Sequence, residues 1–182
     1  SKFELYAFSL SPIKKDKMYE RIYSVFDHFI DVSSKSTEQI VNLSRELNID
    51  IAIDLMGYTK LNRYEIFLKR VAPIQINYLG YSGTFGSSNM DYIIADRNLI
   101  VNQNNFSEKI IYLPESFMVT DFKGLNLRNT LKREDYGISN NAFVFCCFNK
   151  QYKITPKIFD IWIELLRKIN NSVLWLKINN EE

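Results

Sequence analysis

Along this chain, stretches with apolar residues two apart alternate with stretches where they fall three and four apart, so strands and helices should alternate as well. "FELYAFSL" (3–10) has the aromatic and aliphatic make-up of a strand and is ended by Ser11 and Pro12. Met18, Ile22, Val25, Phe26 and Phe29 carry a helical stripe, and "FIDV" (29–32) reads as a short strand behind it. Ser36 followed by Gln39 is a capping-box pair, and Ile40, Leu43 and Leu47 form the stripe of a helix ending near Asn48. "IDIAIDLM" (49–56) is apolar apart from Asp50 and Asp54, the pattern of a parallel strand covered on both faces and central in its sheet. "NRYEIFLKRV" (62–71) suits a short helix stopped by Pro73.

Further strands are expected at Ile74 to Leu79, Tyr92 to Ala95 and "EKIIYLP" (108–114). From 120 to 141 the periodicity gives way to "FKGLNLRN" and "ISNN", which predicts a linker. The pattern then restarts with "AFVFCCFN" (142–149) as a buried strand. Thr155 and Pro156 suit the N-cap and first position of a helix whose apolar face is Ile158, Phe159, Trp162, Leu165 and Leu166, and "SVLWLKI" (172–178) is the next strand. The whole predicts an α/β architecture with parallel sheets in two lobes, 1–120 and 142–182, joined by 121–141.

Composition narrows the partners. With 182 residues, 46% of them hydrophobic, the chain can bury a core. The net charge is +2 and the basic residues are scattered, so no nucleic-acid footprint is visible. Cys146 and Cys147 are adjacent in a strand and point to opposite faces, which disfavours a bridge and suits a reducing compartment. No stretch has the apolar length of a membrane span and no leader opens the sequence, so a cytoplasmic protein without a membrane partner is expected. A chain that opens in one strand and stops just after another reads as a fragment of a longer protein.

Three places could carry chemistry. In "CCFNKQYKITP" (146–156), Lys153 lies between a strand end and a helix start, where backbone N–H groups and the helix dipole favour phosphate; Lys150 and Lys153 read equally well as solvated loop lysines. The loop "LGYSGTFG" (79–86) has a glycine at every third position but is neither a P-loop nor a dinucleotide fingerprint, so it is a ligand wall or only a turn. Asp54, Gly57, Tyr58 and Thr59 end the strand at 53–60 and either face a cleft or, in the case of Asp54, tie down backbone amides. His28, the only histidine, reads as structural near the end of the first helix, and no metal-binding spacing is present.

Five segments together resemble the catalytic region of the O-linked N-acetylglucosamine transferases and their SPINDLY-like relatives, glycosyltransferase family 41. They are "DIAIDLMGYT" (50–59), "RYEIFLKRVAPIQINYLGYSGTFGSSNMDYIIAD" (63–96), "SEKIIYLPESF" (107–117), "CCFNKQYKITP" (146–156) and "NSVLWL" (171–176). The resemblance implies a GT-B enzyme, here most of the N-terminal Rossmann-like lobe plus the first β-α-β unit of the C-terminal lobe. It implies inverting transfer of N-acetylglucosamine from UDP-GlcNAc, or of fucose in SPINDLY-type members, to Ser or Thr hydroxyls of proteins. No metal or cofactor would take part, and tetratricopeptide repeats elsewhere in the polypeptide would recruit acceptors. By position, Tyr152 and Lys153 would meet the nucleotide diphosphate, with Lys153 catalytic through the charge of the departing UDP. Leu79, Gly80, Tyr81 and Ser82 would flank the donor sugar, and Asp54, Tyr58 and Thr59 the acceptor side of the cleft. Ser82 stands where many members have proline, and Lys150 where an amide is common, which keeps a non-catalytic binding relative as the alternative. The upstream histidine-bearing segment and most of the second lobe would lie outside these residues, and this stretch alone is expected to be inactive.

Overall fold

Three helices start where a side chain can take over an orphan backbone N–H. Asp16 accepts from Tyr19 N at 2.9 Å and opens α1 (Lys17–Tyr23), while Ser36 and Gln39 form the full capping box ahead of α2 (Thr37–Glu46). Thr155 caps α4 (Pro156–Lys168) through Ile158 N, with proline in the first turn. The remaining helix, α3 (Glu65–Leu68), is a single turn without a side-chain cap. The strands are β1 (Tyr6–Ser9), β2 (His28–Asp31), β3 (Ile51–Asp54), β4 (Ile74–Asn77), β5 (Tyr92–Ala95), β6 (Lys109–Tyr112), β7 (Phe143–Cys147) and β8 (Ser172–Leu176).

This computed structural model describes residues 2–121 and 132–177. The chain falls into two compact units, Ser1–Asp121 and Phe122–Glu182. Every strand pair is parallel: β1 with β2, then β3-β4-β5-β6 in that order in the first unit, and β7 with β8 in the second. With α-helices in the connections from β1 to β2, β2 to β3, β3 to β4 and β7 to β8, this is the α/β fold. Val32, Ile40, Val41, Ile66, Phe67, Val71, Phe85 and Met90 form the core of the first unit, and Ile93, Ala95 and Ile100 form a smaller cluster beside it. Gln75 is wholly buried inside this sheet, and its side chain is fully engaged, accepting from Val71 N and donating to Phe67 O and Asn89 O.

Several expectations are corrected. The first helix ends at Tyr23, and Phe29 belongs to β2, where it packs on Tyr19 and Tyr23; rings on a strand and on the helix before it imitated a single helical stripe. His28 therefore opens a strand, stacked on Tyr6 with ring centroids 4.3 Å apart and bonded to Glu4 at 2.8 Å. The helix at 62–71 shrinks to α3 and is ended by Arg70 at φ 53°, before Pro73 can act. Among the described residues β3 is an edge strand, not a central one, with Ile51 and Ile53 43% and 49% exposed. Among the described residues of the second unit one α-helix covers one face of two strands, so β7 is not buried: Phe143 and Cys146 are exposed, and α4 has no buried residue. "FKGLNLRN" (122–129), part of the expected linker, lies outside the described residues.

Candidate functional site

At the carboxyl edge of the four-stranded sheet, two loops press together. The first leaves β3 through Asp54, a buried carboxylate whose Oδ1 accepts from Met56 N at 2.9 Å and Gly57 N at 3.0 Å. Of the two sequence readings of Asp54, the structure shows the one that ties down amides. Gly57, at φ 53°, then turns the chain toward Tyr58 and Thr59. The Tyr58 ring stacks on Phe85 and stands edge-on to Tyr64 and Tyr81, and its hydroxyl donates to Phe85 O at 2.7 Å. Loss of solvent first, then the neighbouring Tyr64 and Tyr81 and the carboxylates of Glu108 and Asp54, raises the Tyr58 phenol above its ordinary value. Thr59 is half-buried, and its carbonyl accepts from Asn62.

The second loop leaves β4 and contains Leu79, Gly80, Tyr81 and Ser82. Leu79 sits at φ 72° while Gly80 N donates to Tyr78 O at 2.9 Å, a γ-turn of the strained hand. Gly80 lies so close to the first loop that a Cβ there would come within 2.2 Å of Leu55 O and 2.9 Å of Met56 Cα. Its glycine is thus demanded by contact of backbone with backbone. Asn77, wholly buried at the end of β4, donates from Nδ2 to Tyr81 O and Gly83 O, both at 3.1 Å, and its Oδ1 has no partner. Further along, Glu108 accepts from Phe85 N and from Thr84 Oγ1. Nothing in the sequence pattern marks Asn77 or Glu108, because a polar residue in or beside a strand looks the same whether it faces water or clasps a loop.

Two aspartates brace the sheet at the two ends of β5, Asp91 just before it and Asp96 just after it. Asp91 takes Arg70 in a two-pronged pair, at 2.6 and 3.0 Å, and also accepts from Gln75 N; the guanidinium holds the Asp91 carboxyl below its usual range. Asp96 accepts from the amides of Phe117, Leu99 and Asn98, which hold its carboxyl down likewise.

Tyr152 and Lys153 belong to the second unit, in a 3₁₀ turn (Gln151–Lys153) between β7 and α4. Both are exposed, and no ion pair engages Lys153 among the described residues. The helix contributes few free donors: Pro156 has no N–H, that of Ile158 goes to Thr155 Oγ1 and that of Phe159 to Thr155 O, leaving Lys157 in the first turn. Fixed positive charge at this strand end therefore comes mainly from the lysine side chains.

Comparison with known proteins extends the picture. The family model described as glycosyl transferase family 41 matches residues 1–132 and 124–179. A protein of Arabidopsis thaliana named a probable UDP-N-acetylglucosamine-peptide N-acetylglucosaminyltransferase SEC is 38% identical over 180 residues, covering 95% of this chain and 18% of that protein. One from Eustoma exaltatum subsp. russellianum, named a probable UDP-N-acetylglucosamine-peptide N-acetylglucosaminyltransferase SPINDLY, is 28% identical over 90% of this chain and 18% of its own length. Among solved structures, a lysine-to-methionine mutant of the Thermobaculum terrenum O-GlcNAc transferase superposes with a TM-score of 0.77 at 26% identity, over 95% of this chain and 32% of that one. The fold is thus that of a GT-B glycosyltransferase, in part, and the chain spans about a fifth of the length of these curated relatives. A match reaching from residue 1 to residue 179 leaves one assignment: this chain belongs to glycosyl transferase family 41.

Proposed function

We propose that these residues are part of a protein O-glycosyltransferase that moves N-acetylglucosamine from UDP-GlcNAc to Ser or Thr hydroxyls with inversion. Family membership carries this reading, and an exposed Lys153 at the carboxyl end of β7, in no ion pair among the described residues, supports it. During transfer, negative charge accumulates on the leaving diphosphate while the sugar becomes oxocarbenium-like. Lys153 would hold that charge, with Tyr152 beside it, so protein groups and no metal or other cofactor would supply the stabilisation. Leu79, Gly80, Tyr81 and Ser82 form the donor wall of the first unit, and Tyr58 and Thr59 line its acceptor side; Asp54 supports that side through Met56 and Gly57 instead of taking the acceptor proton. Tetratricopeptide repeats elsewhere in the polypeptide recruit the protein acceptors, and the site of action is the cytoplasm. No helix among the described residues is long and apolar enough to cross a membrane.

The test uses the full open reading frame with UDP-GlcNAc and a Ser/Thr-rich protein mixture, with hexosamine addition scored by mass spectrometry. Transfer is expected, and Lys153→Ala should lower it by about a hundred- to a thousandfold without unfolding the protein. Turnover near wild type in that variant would overturn the assignment of Lys153. Binding of UDP without any transfer would favour a non-catalytic relative.

A further inference from the structure

Leu79 holds a backbone conformation that a leucine rarely adopts. Its φ of 72° belongs to the γ-turn closed by Gly80 N on Tyr78 O, and a strained turn persists only where its surroundings fix both of its ends. On the downstream side Gly80 lies against the backbone of Leu55 and Met56, and Asn77 holds Tyr81 O. On the upstream side stands Tyr78, which is fastened three times over. Its N–H donates to Asp54 O at 2.9 Å, its carbonyl closes the turn, and its hydroxyl donates to Phe117 O at 2.9 Å. Asn77 and Tyr78 follow each other along the strand, so their side chains leave opposite faces of the sheet, one gripping the loop itself and the other a segment 39 residues further on.

That segment is itself anchored. It leaves β6 with Leu113 N donating to Ala95 O at 2.8 Å, Phe117 N donates to Asp96 Oδ2 at 2.8 Å, and Asp121 pairs with Arg21 of α1. Asp96 is locked at the end of β5, its other oxygen accepting from the amides of Asn98 and Leu99. Phe117 is therefore held on both of its peptide groups, the N–H by Asp96 and the C=O by Tyr78, while Met118 and Val119 just after it are exposed. With Phe117 fixed from β5, the Tyr78 hydroxyl has an immobile acceptor. A hydrogen bond to an immobile acceptor fixes the residue that donates it.

We propose that Tyr78 is a positioning residue for the donor: its hydroxyl, anchored on Phe117, holds the Leu79 turn in its strained form and so sets where Leu79, Gly80, Tyr81 and Ser82 stand beside the sugar. The proposal rests on the glycosyl transfer proposed above, in which those residues form the donor wall. Tyr78 acts through the turn and not on the substrate. Its effect falls on the sugar end of the donor, because the nucleotide diphosphate belongs to Tyr152 and Lys153 of the second unit in that reading. A sugar left out of place shows in kcat/KM for UDP-GlcNAc, whereas the affinity for UDP alone does not sense it.

Tyr78→Phe in the polypeptide from the full open reading frame keeps the ring and removes only the hydroxyl. Tyr112→Phe is the matched control, since it gives up a bond of the same kind, from Gln103 at 3.0 Å, away from the turn. Residue-resolved hydrogen exchange at Gly80, whose N–H closes the turn, should quicken about fivefold in Tyr78→Phe, the worth of one hydrogen bond, and keep the wild-type rate in Tyr112→Phe. In Tyr78→Phe alone, kcat/KM for UDP-GlcNAc should fall by about tenfold or more with the Kd for UDP unchanged. Wild-type exchange at Gly80 in Tyr78→Phe would overturn the proposal. So would equal losses of kcat/KM in the two variants, the mark of a bond that only stabilises the fold, or a parallel loss of UDP affinity. A wild-type protein without transfer, in which Gly80 still responds to Tyr78→Phe, would count against the enzymatic reading while upholding the tether.

Discussion

Replacing Gly80 with alanine tests whether the site edge is built by two loops in backbone contact. The new Cβ would lie 2.2 Å from Leu55 O, about 1 Å inside the 3.4 Å at which ordinary contact begins, and 2.9 Å from both Leu55 C and Met56 Cα. None of these is the end of a flexible side chain, so the loops themselves must separate. Overpacking of this kind costs about 1–3 kcal/mol. Separation also pulls Tyr81 O from Asn77 Nδ2, now 3.1 Å away, and a lost hydrogen bond adds about 1 kcal/mol. Gly83→Ala is the matched control, because there the three atoms nearest the Cβ are at the outer end of the Tyr81 ring, a side chain that can shift aside, and none is backbone. Urea melts and amide exchange at 55–58 and 79–83 should show Gly80→Ala weaker by about 2–4 kcal/mol and Gly83→Ala weaker by less than about 1. Equal effects from the two variants would refute the backbone-contact argument.

Asn77→Asp removes the donor to Tyr81 O and Gly83 O from a fully buried position, and exchange in 79–83 should accelerate by tenfold or more, about 1.4 kcal/mol or greater. Tyr58→Phe keeps the stack on Phe85 but loses the bond to Phe85 O, costing about 1 kcal/mol in a denaturant melt. For Asp96 the folded carboxyl is held below its unfolded value of about 3.9, so its stabilisation is complete above that pH and disappears as pH falls through the folded value. The stability gap between wild type and Asp96→Asn should therefore be constant near neutrality and close in acid; a gap that widens on acidification would contradict the assignment.

Local signals in the sequence were enough for the caps of α2 and α4, because Ser36 with Gln39 and Thr155 with Pro156 act within one turn. The parallel α/β class was equally legible from alternating periods. Coverage was not, since it depends on neighbours: the run at 49–56 has the composition of a central strand, yet β3 has one strand partner among the described residues. The same reason hides the clasp. Asn77 and Glu108 are recognisable only once the fold returns a loop over them, and Gly80 differs from Gly83 only in what lies opposite. Asp54 shows the reverse case, an acidic residue at a strand end whose bonds are to its own turn.

The clasp on the 79–86 loop grips the carbonyls of Tyr81, Gly83 and Phe85, the N–H of Phe85 and one side chain, the hydroxyl of Thr84. Ser82, between two of these grips, provides none of them. Its side chain is therefore a replaceable tile in a fixed frame, and substitution there can retune what the loop displays while leaving its course unchanged.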